Sequence, residues 1–372
     1  MDNFAALGIS KDIIKGLNEI GILKPTGIQK EAIPILLRGD TDLVGQAQTG
    51  TGKTAAYGLP ILEKIDPSFD KPQALVLSPT RELAQQVAKQ LFRFTKYTDK
   101  IFCEAVYGGE KIDIQIKNLQ RPTQIIVATP GRLIDLIKRK AVDLRYVKIV
   151  VLDEADEMLS LGFKKELDEI LGTLRQVQNK WLFSATMPQG ISAIVNNHMK
   201  AEAHRITVGK DSVVNKNIEH KFLICDDVNK LEILIDFLKS HEEERGVLFC
   251  KTKAVTAKLA KQLAARNISA EAIHGDMLQK ERDKVMRAFK NESLRLLVAT
   301  DLAARGIDVD DLGFVVHYQF PDQQEYYTHR SGRTARAGKD GLALALVNSY
   351  ELKTLRSYEK ALGINFSQIR QV

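Results

Sequence analysis

The residues with the plainest chemical purpose form the run Ala47-Gln48-Thr49-Gly50-Thr51-Gly52-Lys53-Thr54. Glycines at this spacing let successive backbone N–H groups turn towards one anion, and a helix opening behind them adds partial positive charge. Lys53 would reach the outer phosphates of a nucleotide, and the Thr54 hydroxyl would hold a magnesium ion. The general pattern starts with glycine where this chain has Ala47, a tolerable exchange if the position keeps a negative φ. The second half of such a site is Ile149-Val150-Val151-Leu152 followed by Asp153-Glu154-Ala155-Asp156. An apolar strand delivering carboxylates at its C-terminal end suits an α/β sheet, which gathers its chemistry there. Asp153 is the candidate magnesium ligand, and Glu154 the candidate base for water attacking a γ-phosphate. A ligand-free glycine turn or an acidic surface turn could explain either run alone. Together they imply a nucleoside triphosphatase.

Such residues need strands that end beside one another. Short β-branched runs alternate with amphipathic stretches along most of the chain. Asp42–Val44, Gln73–Leu77, Ile101–Val106, Gln124–Ala128, Lys148–Leu152 and Lys180–Phe183 read as strands, with helices such as Arg81–Thr95 and Arg132–Arg139 between them. Near-continuous apolar strands imply a sheet covered on both faces, hence parallel with crossover helices. A second series runs through Phe222–Cys225, Gly246–Cys250, Ser269–His274, Arg295–Ala299, Phe314–Tyr318 and Leu342–Val347. Its helices are read at Lys230–Lys239, Ala254–Arg266, Gln279–Phe289 and Tyr350–Leu362. The fold class is therefore α/β, with two tandem domains at 1–208 and 219–372 joined by a polar, glycine-containing linker at 209–218.

Composition agrees with this without deciding it. A length of 372 residues exceeds one comfortable core. Hydrophobic residues at 44% and charged residues at 27% exclude a mainly disordered chain. A net charge of +7 permits a polyanionic partner. The three cysteines are far apart and form no CxxC pair, so neither a disulfide framework nor a zinc site is indicated. No apolar run approaches the roughly 18 residues of a membrane span, and the N-terminus lacks signal-peptide order. A cytoplasmic protein without membrane contact is the expectation.

The spelling Asp-Glu-Ala-Asp at 153–156 is the signature of the DEAD-box RNA helicases, and the resemblance covers essentially the whole chain. Pro79-Thr80-Arg81-Glu82-Leu83-Ala84, Gly108-Gly109, Thr129-Pro130-Gly131-Arg132 and Ser184-Ala185-Thr186 resemble the family's motifs in the family's order. So do the stretch from Ala299 through Thr300, Asp301 and Arg305 to Asp308, and His329-Arg330-Ser331-Gly332-Arg333-Thr334-Ala335-Arg336. The chain is similar to bacterial members. The resemblance implies two RecA-like domains, each a mostly parallel sheet flanked by helices, with ATP and magnesium as cofactors.

It also implies roles for individual residues. Gln29 in Pro25-Thr26-Gly27-Ile28-Gln29 looks like the adenine reader, its donor and acceptor matching the N6/N7 edge. Phe4 has two readings, a ring stacked on the base or a hydrophobic staple under the first helix. Gln48, Thr49, Gly50, Thr51 and Gly52 line the phosphates, and Gly306 and Asp308 resemble the ribose-contacting residues. Arg333 and Arg336, three apart and on one face if helical, resemble arginine fingers worth about 10³–10⁵ in rate in comparable enzymes. Pro79, Thr80, Arg81, Gly109, Thr129, Pro130, Gly131 and Arg132 resemble a grip on RNA backbone, the two arginines pairing with phosphates bidentately. Thr300, Gln279 and Arg282 resemble RNA contacts of the second domain, and Lys251-Thr252 reads equally as a phosphate contact or a solvated turn. Asp156, Ser184, Thr186, Asp301, Arg305, His329 and Arg330 resemble the residues that couple hydrolysis to RNA grip.

Departures from the family pattern are Gly27 for a usual proline, Ser331 for isoleucine, Ala335 for glycine and Gln319 for aspartate. The implied function is ATP-driven local unwinding of short RNA duplexes or remodelling of ribonucleoprotein complexes by a monomer. The alternative is an ATP-dependent RNA clamp. A DNA translocase fits the Asp-Glu-Ala-Asp spelling and the Gln29 motif poorly. A P-loop kinase fits the second domain's motifs poorly.

Overall fold

The computed structural model describes residues 3–48, 50–174, 176–208, 217–304, 312–335 and 340–369. Thr49, Arg305, Gly306, Asp308, Arg336 and nearly all of the predicted linker lie outside the described residues. The chain divides into two compact units, Met1–Gly209 and Lys210–Val372.

In the first unit the strands are β1 (Leu43–Gln46), β2 (Ala74–Leu77), β3 (Cys103–Val106), β4 (Ile125–Ala128), β5 (Ile149–Asp153), β6 (Asn179–Ser184) and β7 (His204–Thr207). They form one sheet in the order β3-β4-β2-β5-β6-β1-β7, and every pairing is parallel. Successive residues of a strand face opposite sides, so each inner strand feeds two cores. Ala74 and Val76 join Val127, Val151 and Phe183 on one side, while Leu75 and Leu77 join Ile126, Val150 and Leu182 on the other. This double burial is why the inner strands read as unbroken apolar runs.

The second unit repeats the plan with β8 (Ile218–Ile224), β9 (Gly246–Cys250), β10 (Ala270–Ile273), β11 (Leu296–Thr300), β12 (Phe314–His317), β13 (Gly341–Val347) and β14 (Phe366–Gln368). The order is β10-β11-β9-β12-β13-β8-β14, again parallel throughout. Leu248 and Cys250 enter one core, Val247 and Phe249 the other.

β7 and β14 are strands that the sequence does not announce, because each is short, at the end of its sheet, with one buried residue. Two expectations need correction. Ile218, assigned to the linker, instead opens β8 as a buried strand residue. The helix expected from Arg132 starts at Pro130, whose fixed φ and missing N–H suit a first helical position.

A buried polar pair of contacts underlies the helix Gln324–Ser331. His220 Nδ1 lies 2.6 Å from the Tyr327 hydroxyl, and His317 Nε2 lies 3.1 Å from Ser331 Oγ. The Ser331 departure thereby supplies a partner to a fully buried imidazole. Burial pushes His220 down to about 4 and His317 well below its ordinary value. Below pH about 6.5 the unfolded chain binds protons that the folded unit refuses, so stability falls as pH drops towards 4 and is flat above 6.5. The full His220 effect is about 3 kcal/mol. Thermal melts between pH 7.5 and 4.5 should show a steeper acid loss in wild type than in His220→Asn; parallel curves would contradict the assignment.

Candidate active site

The phosphate loop connects β1 to the helix Lys53–Lys64. Gly50 and Gly52 have φ of 79° and 87°, the left-handed region that favours glycine. At Gly52 space is also lacking, since a Cβ would lie 2.3 Å from Gln29 Nε2. Ala47 is absent from the residues with positive φ, which meets the condition for alanine there. Lys53, 6% exposed, reaches back across the loop and donates to the Ala47 carbonyl at 2.9 Å. Thr51 Oγ1 donates to the Gln48 carbonyl at 2.7 Å. Thr54 stands half-buried in the first turn of the helix.

Gln29 is more committed than its sequence motif suggests. Its Oε1 accepts from the Thr26 N–H at 3.0 Å, closing a capping box, and its Nε2 donates to the Gly52 carbonyl at 3.0 Å. Thr26 Oγ1 adds a bond to the Thr51 carbonyl at 2.8 Å. The motif therefore braces the loop, leaving one lone pair and one N–H of the amide for a base. Gly27 occupies the first helical position and the capping box closes without proline. The stacking reading of Phe4 is corrected: the ring is 2% exposed among Leu7, Ile9 and their neighbours, with no open face for a base.

At the end of β5, Asp153 is 3% exposed and its Oδ2 accepts from the Tyr57 hydroxyl at 2.8 Å. Burial pushes its carboxyl up, against the opposing pull of Lys53 and of Tyr57. Glu154 has φ 51° and ψ 53°, an uncommon conformation for a glutamate, which makes the sharp turn from strand into the helix Ala155–Ser160. Asp156 Oδ2 accepts from both the N–H and the Oγ1 of Thr186, each at 2.8 Å. Ser184 Oγ accepts from the Asp156 N–H at 3.3 Å and donates to the Thr186 carbonyl at 2.6 Å. Two motifs separated by some thirty positions are thus one hydrogen-bonded cluster.

Sheet order arranges the remaining motifs. Beside β5 and along one half of the sheet's C-terminal edge, β2, β4 and β3 deliver Pro79–Arg81, Thr129–Arg132 and Gly108-Gly109. Thr80 and Thr129 are the N-caps of the helices Arg81–Phe94 and Pro130–Lys138, so two positive helix ends face the same edge. Arg81 lies over the Tyr107 ring at 4.7 Å, and Gln85 Nε2 donates to the Tyr107 hydroxyl at 2.6 Å. Arg132 departs from the expected open bidentate clamp. Its guanidinium is braced by Gln115 Oε1 at 2.8 Å and the Glu110 carbonyl at 3.0 Å. Gly109 has φ 85°, and a Cβ at Gly108 or Gly131 would meet nothing within 4 Å, so backbone is open to approach there. Tyr57, Tyr107 and Gln115 escape motif reading because their side-chain partners Asp153, Gln85 and Arg132 lie outside their own motifs and are set by tertiary packing.

In the second unit β10, β11 and β9 deliver Gln279 and Arg282, Thr300 and Asp301, and Thr252. Thr252 caps its helix, accepting from the Val255 N–H at 3.2 Å, which places it at a positive helix end. Gln279 Nε2 donates to Asp283 Oδ1 at 2.7 Å. Arg330, 2% exposed, forms a bidentate pair with Asp301 at 2.5 and 2.8 Å and donates to the Gln319 carbonyl at 2.8 Å. His329 is its neighbour in the same helix. Gln319 Oε1 accepts from the Lys251 N–H at 2.9 Å, so this departure keeps a local contact. The helical placement of Arg333 is corrected: the helix ends at Ser331 and Arg333 lies in the turn beyond it. Ala335 has φ 58°, a cost of about 1–2 kcal/mol that a glycine would avoid.

Gly52→Ala should weaken nucleotide binding, because the added Cβ meets the Gln29 amide in a conformation alanine already disfavours. An affinity loss of about tenfold or more is expected. Titration with a fluorescent ATP analogue reads it, and wild-type affinity would contradict the geometry.

The DEAD/DEAH box helicase model matches residues 26–194, and the helicase conserved C-terminal domain model matches residues 229–338. The chain is 41% identical to the DEAD-box ATP-dependent RNA helicase CshA of Bacillus cereus, over 97% of this chain and 68% of that protein. Among solved structures, S. cerevisiae Dbp5 bound to RNA and ADP BeF3 is 30% identical with a TM-score of 0.92, covering 99% of this chain and 96% of that one. A DEAD box protein from Methanococcus jannaschii is 40% identical with a TM-score of 0.58, covering 100% and 99%. Similar in sequence to CshA over nearly its whole length, and carrying its motifs in order along two parallel sheets, the chain belongs to the DEAD-box helicase family.

Proposed function

We propose that the chain is an RNA-stimulated ATPase that grips single-stranded RNA by its backbone and locally opens short duplexes or remodels ribonucleoprotein complexes. The observation that carries this reading is the cluster of Asp156, Ser184 and Thr186. It joins the strand that bears the carboxylates to the strand beside the phosphate loop, while the neighbouring strands on the other side bear the candidate RNA contacts. We further assign it to the cytoplasm as a monomer; among the described residues no helix is long and apolar enough to cross a membrane.

The donor set suits magnesium, because Thr54 brings a hydroxyl and Asp153 a buried carboxylate, both hard oxygens. When bound, magnesium neutralises charge on the nucleotide's phosphates. Lys53 holds the outer phosphates, and Glu154 orients and deprotonates the attacking water. Arg333 and Arg336 belong to the second half of the chain and are assigned here as the arginine fingers. Their fixed positive charge then stabilises the transferring phosphoryl group. Backbone contacts from Pro79–Arg81, Gly109 and Thr129–Arg132 carry no base information, which makes RNA binding largely sequence-independent. ATP and RNA each favour the same active state, so each tightens the other's binding.

Steady-state hydrolysis without nucleic acid, with single-stranded RNA and with DNA of the same sequence tests the reading. Stimulation by RNA alone is expected; equal stimulation by DNA would contradict it. Arg333→Ala should keep ATP binding and lose RNA-stimulated turnover by about 10³-fold or more. Normal turnover in that variant would refute the finger assignment.

A further inference from the structure

Tyr57 is one of the largest fully buried side chains in the first unit, yet it brings a hydroxyl into the core. That hydroxyl donates to Asp153 Oδ2 at 2.8 Å, across 96 positions of sequence. The ring also packs against Phe183 at a centroid distance of 5.4 Å, immediately before Ser184. Tyr57 follows Lys53 by four residues and Thr54 by three in one helix, so the three share a face over the first turns. A phenylalanine would fill the same apolar space without a buried donor that needs a partner. The hydroxyl therefore has a partner-specific purpose that packing alone does not require.

We propose that Tyr57 is a positioning residue for the metal carboxylate: by holding Asp153 Oδ2 it fixes the rotamer in which the other oxygen serves magnesium beside Thr54. This rests on the reading that Asp153 and Thr54 hold the metal. The phosphate-loop helix supplies both the Thr54 ligand and the post that aims Asp153. A rigid helix therefore sets the spacing between the two donors. A carboxylate free to rotate would lose that preorganisation, and magnesium would have to order it on binding.

The test is a magnesium titration of the binding of a fluorescent ATP analogue to the full chain, compared with binding in EDTA. Tyr57→Phe removes one oxygen and keeps the ring. Its metal-free nucleotide affinity should match wild type, while the magnesium concentration at half-saturation should rise about tenfold, as for loss of one hydrogen bond to a charged group. Should that variant not fold, Tyr57→Met fills the space without a donor and carries the same expectation. Asp153→Asn separates the two levels of the argument. An unchanged or lower magnesium requirement in Tyr57→Phe, with a raised one in Asp153→Asn, would overturn the role of Tyr57 alone. An unchanged requirement in Asp153→Asn would overturn the metal assignment itself. Loss of nucleotide binding in EDTA by Tyr57→Phe would place the hydroxyl's effect on the loop and likewise overturn the proposal.

Discussion

Asp156 accepts two hydrogen bonds from Thr186 through a single carboxylate oxygen, in a position only 6% exposed to solvent. Each bond to a buried charged group is worth about 1.5–3 kcal/mol net, and losing one leaves part of a carboxylate unsatisfied. The ends of β5 and β6 are consequently tied more tightly than their backbone pairing alone would tie them. Any movement of the carboxylates at 153–156 must therefore move Ser184 to Thr186 as well, or break these bonds. In the proposed account this is how the state of the nucleotide reaches the rest of the sheet edge.

The parallel sheet makes such a linkage economical in space. All strands of a parallel sheet end on the same side after a crossover, so motifs far apart in sequence become neighbours in strand order. In the first unit that order places the candidate RNA contacts on β3, β4 and β2, the carboxylates on β5, and the phosphate loop on β1 beyond β6. The second unit repeats the division, with Gln279, Thr300 and Thr252 on one half and the helix bearing Arg330 after β12. There the tie is the pair of buried Arg330 with half-buried Asp301, whose bidentate geometry and third bond to the Gln319 carbonyl offset the cost of desolvating the guanidinium.

Much of this was readable from the amino acids, for physical reasons. Inner strands such as β2 and the run Ile149–Leu152 of β5 are buried on both faces and wholly apolar, which makes them plain in sequence. Motif residues are constrained at fixed spacing, and Gly52 illustrates why: both its φ and the adjacent Gln29 amide forbid a side chain. Edge strands β7 and β14 escaped because one buried residue apiece leaves no periodicity. Phe4 misled because an aromatic suits a core as well as a base, and only its burial decides. Tyr57, Tyr107 and Gln115 were invisible since their hydrogen-bond partners are set by tertiary packing. Arg132 kept its expected location but not its expected freedom, being braced by Gln115 and Glu110.

We propose that the Asp156–Thr186 contact transmits nucleotide state to RNA grip. Thr186→Val removes the hydroxyl bond and keeps the shape, so the measurement is the affinity for single-stranded RNA with and without a non-hydrolysable ATP analogue, in both proteins. In wild type the analogue should tighten RNA binding by a factor on the order of ten or more, and RNA should tighten analogue binding equally. In Thr186→Val each ligand should bind alone as before while the mutual factor falls towards one. An undiminished factor in the variant would contradict the account.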